Sequence, residues 1–116
     1  MNVSKFQRSL LAQFRCGILP LEIEVGRYVN KPISERICRV CEQNLVEDEI
    51  HFLCDCTKYS AERQSRFEKA CNSNDMFTSL DSFEKFVYLM GNHERAVISF
   101  LTKAVQKRRQ SLYDVS

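Results

Sequence analysis

The chain contains no tryptophan, and only three glycines and two prolines among its 116 residues. So few breakers exclude collagen-like and low-complexity architectures and favour helix. No apolar run approaches the roughly 18 residues needed to span a bilayer. Lys5, Gln7, Arg8 and Arg15 interrupt the N-terminal stretch where a signal peptide would carry its apolar block. An intracellular protein of the cytoplasm or nucleus, with no membrane partner, is expected. A large net charge is also missing. Seventeen basic residues face fifteen acidic ones, and a balance of +2 neither demands nor excludes nucleic acid. HExxH, GxSxG, a phosphate-binding loop and a glycine-rich dinucleotide fingerprint are absent, so the chain is not expected to be an enzyme.

What is present fits one domain over residues 1–116, mainly α, with about five helices. Its expected parts are a helix pair in 1–30, a metal-binding segment in 36–60 and C-terminal helices in 57–113. Ser4 with Gln7 forms a capping-box pattern, and Phe6, Leu10 and Phe14 recur on one helical face. This predicts a helix to about Cys16, stopped by Gly17, and a second helix from Leu19 to Tyr28 that begins around Pro20. Val29 to Ile37 reads as a loop, and Glu42 to Glu49 as a surface loop or short hairpin. A third helix is expected from Thr57 to about Asn72, with Arg63 outward. Asp81 and Glu84 predict another capping box. It starts a helix carrying Phe83, Phe86, Val87, Leu89 and Met90, expected to be deeply buried and closed by Gly91. Asn92 is read as the cap of the last helix, whose stripe of Ala96, Val97, Phe100, Leu101, Ala104, Val105 and Leu112 runs to about Tyr113. His93 reads as a surface or cap residue.

The six cysteines are unevenly distributed. Cys38-Arg-Val-Cys41 is followed after nine residues by His51-Phe-Leu-Cys-Asp-Cys56. Two thiols two residues apart can aim both sulfurs at one point, and zinc takes four nitrogen or sulfur ligands in a tetrahedron. Three disulfides are the competing reading; this spacing and the missing signal peptide oppose it. Cys16 and Cys71 are expected to be small buried residues. Spacing leaves the fourth ligand open. On a continuous helix Cys54 lies about 60° from eclipsing His51 and Cys56 roughly 140° away, while a backbone break near Asp55 and Thr57 would let Cys56 swing in.

The segments LAQFRCGILPLEIEVGRY, RICRVCEQ and DEIHFLCDCTKYSAER together resemble the zinc-binding region downstream of the reverse transcriptase domain in non-LTR retrotransposon polyproteins. The matching residues are Gly17, Leu19 and Pro20, then Cys38 and Cys41, then His51, Phe52, Leu53, Cys56 and Tyr59. The likeness spans Leu10 to Arg63. It departs at Ile50, where the family commonly has Glu before the His. The resemblance implies a CCHC zinc site of Cys38, Cys41, His51 and Cys56. Three thiolates and one imidazole fill all four positions, so Zn2+ is expected as a closed structural staple, with Arg36 and Arg39, next to the knuckle, offsetting its surplus negative charge. The paired-aspartate polymerase motif is missing, so the resemblance implies a non-catalytic tail adjoining the polymerase part of a larger polyprotein, with RNA or DNA as partner. Lys5, Arg8, Arg15, Lys103, Lys107, Arg108 and Arg109 are the candidate phosphate contacts, expected on one face. A solvated helix surface explains the same charges, and a structural or protein-interaction zinc domain is the competing function.

Overall fold

A computed structural model describes residues 4–113. These residues form a mainly α-helical domain with no named strand. Helix α1, Lys5–Arg15, starts at the expected box: Gln7 N donates to Ser4 Oγ and Ser4 N to Gln7 Oε1, each at 3.1 Å. It stops where Gly17 turns left-handed at φ 71° and Ile18 N reaches back to Gln13 O at 3.0 Å. Leu19 and Leu21 are buried at the corner, and α2, Glu22–Tyr28, follows it.

The expected third helix is two helices, α3 (Ser60–Arg66) and α4 (Glu68–Ser73), after a 3-10 turn at Thr57–Tyr59. Phe67, at φ −105° and ψ 15°, breaks the run and stacks on Phe100 with ring centroids 5.5 Å apart. Helix α5, Ser82–Asn92, has the predicted cap, Glu84 N donating to Asp81 Oδ1 at 2.8 Å. Its burial departs from expectation. Leu89 is buried and Phe86 and Met90 pack partly against the core, whereas Phe83 and Val87 are 62% and 53% exposed. The five apolar residues wrap more of the helix than one packing face can cover.

Gly91 lies inside α5, and the break falls at His93. Asn92 Nδ2 donates back to Tyr88 O at 3.1 Å instead of capping the last helix. His93 is the predicted cap residue, its ring 5.2 Å from that of Tyr88.

Helix α6, Glu94–Tyr113, is the spine. Val97, Ile98, Phe100, Leu101, Ala104 and Val105 are buried along it. It runs antiparallel to α1, with Gln7 Nε2 3.5 Å from Thr102 Oγ1 and Arg15 2.7 Å from Glu94. Phe52 has no exposed surface, and its ring meets Phe14, Tyr59 and Phe100 at 6.4, 5.0 and 5.9 Å. Cys16 and Cys71 are exposed, contrary to expectation: Cys16 lies past the last turn of α1, and Cys71 on α4, whose face is reset by the break at Phe67. Among the described residues no helix is long and apolar enough to cross a membrane.

Candidate metal centre

The knuckle stands on a short hairpin. Ile37 pairs antiparallel with Val46, Cys38 N donates to Leu45 O at 2.7 Å, and Glu47 N to Arg36 O at 2.9 Å. Glu42 and Asn44 take left-handed backbone, φ 57° and 58°, to return the chain within so few residues. Glu47 is not a surface-loop residue; it is completely buried.

The next turn brings Cys56, and not Cys54, into the donor group. Asp48 Oδ1 accepts from His51 N at 2.8 Å, and the chain then makes one π turn over His51–Asp55, closed by Cys56 N donating to His51 O at 2.7 Å. A bond between residues five apart widens the turn, bringing residue 56 back toward residue 51, where a regular helix would carry it away. Cys56 itself is extended, φ −61° and ψ 119°, and ends the turn. Arg63 satisfies two carbonyls in this turn, with Nε 2.7 Å from Leu53 O and NH2 3.1 Å from Phe52 O. Arg63 therefore points inward, against the expectation from helical spacing.

The donor atoms of Cys38, Cys41, His51 and Cys56 all lie within 4.8 Å of one another, three of these residues buried and Cys41 half-buried. Cys38 and Cys56 sulfurs are 3.9 Å apart, and Cys41 Sγ is 3.5 Å from His51 Nε2. A tetrahedral ion with metal–sulfur bonds of about 2.3 Å and metal–nitrogen bonds of about 2.0 Å requires edges of about 3.8 and 3.5 Å. The residues present fit such an ion. Cys54 is outside the group, beside Leu53, Phe67, Phe77 and Leu89, and burial pushes its thiol up to about 12.

Hydrogen bonding from Cys56 lowers the Cys38 thiol to about 3, and the same contact, with burial, raises Cys56. Tyr59 is fully buried beside them, its hydroxyl without a hydrogen-bond partner among the described residues; burial first, and then the charges of Cys56 and Glu47, raise it above the usual phenol range. This side of the site is buried.

The arginines next to the knuckle serve other purposes. Arg36 donates to Lys31 O at 2.9 Å and Ile23 O at 3.0 Å, its stem lying where Gly26 has no Cβ. Exposed Arg39 lies 3.9 Å from Glu22. The cation that approaches from α6 is Arg108, buried with Glu47: Nε to Oε2 is 2.9 Å and NH2 to Oε1 2.7 Å. Burial works against the charge of Arg108, and the hydrogen bonds to Glu47 together with the attraction of the charges of Glu47, Tyr59 and Glu22 more than offset it. Glu47 also accepts from Glu22 N at 2.8 Å and approaches Cys38 Sγ at 3.9 Å.

The seven candidate phosphate contacts therefore do not share one open face. Arg108 is buried, Arg15 pairs with Glu94 at 2.7 Å and Lys107 with Glu62 at 3.1 Å. Lys5, Arg8, Lys103 and Arg109 are exposed. Sequence reasoning missed Glu47, Arg63 and Asp48 and misplaced Arg108. One signal was available, because residue 108 continues the buried stripe of residues 97, 101 and 104.

Neither family models, curated proteins nor solved structures yield a match to this chain. The retrotransposon likeness therefore rests on the motif residues alone.

Proposed function

We propose that the chain is a non-catalytic, zinc-stapled helical module that engages nucleic acid. The observation carrying the first half is the convergence of Cys38, Cys41, His51 and Cys56, whose donor atoms all lie within 4.8 Å of one another, with the Cys38–Cys56 and Cys41–His51 edges at 3.9 and 3.5 Å. Three sulfurs and one imidazole are a donor set suited to Zn2+, and four protein ligands leave no position for a substrate or water. Bound there, the ion would join the hairpin to the turn that carries Phe52 and Leu53 into the core, making its binding energy folding energy. Purified protein should contain one zinc per chain, and chelation under reducing conditions should unfold it. A chain that stays folded and metal-free would refute the staple.

The nucleic-acid half rests on the family resemblance and on Lys5, Arg8, Lys103 and Arg109. The antiparallel register of α1 and α6 supports it, because pairing Gln7 with Thr102 brings Lys5 and Arg8 alongside the half of α6 that carries Lys103. Contacts of this kind release counterions and weaken as salt rises. Retention on single-stranded RNA and duplex DNA across a salt series tests them; no retention at low salt would refute this half. One observation favours a protein-interaction domain instead. Tyr28, Val29 and Ile33 are 75%, 67% and 62% exposed, an apolar run of the kind partners cover.

A further inference from the structure

The Glu47–Arg108 pair joins residues 61 apart in sequence and is buried on both sides, its side chains 0% and 8% exposed. It lies between the candidate metal centre and the C-terminal helix, the hairpin supplying Glu47 and the last turns of α6 supplying Arg108. Glu47 is fully used: its oxygens accept both guanidinium hydrogen bonds and the Glu22 amide, and Oε2 lies 3.9 Å from Cys38 Sγ.

The charges define what this arrangement does. Three thiolates and a dication leave a net charge of −1, and a carboxylate against Cys38 adds another buried negative charge. Buried carboxylates are tolerated when paired and hydrogen-bonded, and like charges buried away from bulk solvent repel strongly. Arg36 and Arg39 supply no such balance, the first being hydrogen-bonded to carbonyls around α2 and the second being exposed.

We propose that Arg108 is a positioning residue of the metal centre: its two hydrogen bonds hold Glu47 neutralised beside Cys38, so that metal affinity and the docking of the α6 C-terminal half are coupled. The proposal rests on the metal reading above. By linkage the coupling is reciprocal, and an occupied site holds this part of α6, with Lys103 and Arg109, in place.

The test measures Zn2+ affinity by competition with a chromophoric chelator, using the full chain under reducing conditions. Arg108→Met leaves Glu47 unbalanced and lowers affinity about tenfold or more, the range seen when partners of metal ligands are lost. The double variant Glu47→Gln with Arg108→Met removes both charges and restores affinity to within about threefold of the wild type. Arg108→Lys, which keeps the charge and loses the fork, falls between them. A packing role alone predicts no rescue by Glu47→Gln. Wild-type affinity in Arg108→Met, or a double variant no tighter than Arg108→Met, overturns the proposal. If Arg108→Met does not fold, the double variant must fold and bind, and its failure overturns the proposal equally. A wild-type chain that takes up no Zn2+ refutes the metal reading, and this inference with it, a result distinct from either variant pattern.

Discussion

Replacing Cys56 and Cys54 separately by Ser puts the geometry of the π turn on trial. Both thiols lie within five residues of His51, yet Cys56 has no exposed surface and joins the donor group, whereas Cys54 is half-buried and stands outside it. Closed structural zinc sites bind with roughly 10–16 kcal/mol of apparent free energy. Divided evenly over four ligands, about 2.5–4 kcal/mol falls to Cys56, a loss of roughly a hundred- to a thousandfold in affinity. Cys54→Ser places a hydroxyl in a partly apolar setting and should cost about 1 kcal/mol of stability while leaving affinity within about threefold. Zinc content after gel filtration and chelator competition read the first effect, and urea denaturation of the zinc-loaded protein reads the second. If Cys54→Ser sheds the metal while Cys56→Ser keeps it, the wide turn is not the one that forms the site.

Gly26→Ala sets two effects of opposite sign against each other. A helical Ala gains about 1 kcal/mol over Gly, but its Cβ would lie 2.5 Å from Arg36 Cγ, forcing the guanidinium off Ile23 and Lys31 at about 2–3 kcal/mol. A net loss of about 1–2 kcal/mol in urea denaturation is expected, and a stabilised variant would contradict this account of Gly26. Phe52→Ala empties the centre of the aromatic cluster and should cost about 3–5 kcal/mol; a cost under about 1 kcal/mol would deny Phe52 its central place. Zinc uptake near pH 7 should release protons, Cys56 supplying one because Cys38 and burial raise its thiol, and affinity should fall as pH falls. Calorimetry in buffers of different ionisation enthalpy measures this, and a buffer-independent heat would count against it.

Local chemistry made much of the molecule legible in advance. Both capping boxes, the Gly17 stop, the α6 stripe and the Cys38–Cys41 knuckle depend on residues a few positions apart, and His51 follows the knuckle closely enough in sequence to be read with it. Burial on α5 was overread because five apolar residues in one helix do not reveal which side has a partner. The basic residues were read as one set because charge in sequence does not show which acids lie across the fold, here Glu94, Glu62 and Glu47.

Helical periodicity, capping and thiol spacing act over one or two turns, so a helical chain with a C-x-x-C knuckle followed by a His is legible from the residues in order. That Cys56 joins the donor group and Cys54 does not follows from packing across the fold, because it depends on a π turn steadied by Arg63 from the next helix. The same packing sets Arg108 beside the candidate metal centre instead of facing solvent, for a buried carboxylate requires a cation, and packing α6 against the hairpin brings one from 61 residues away.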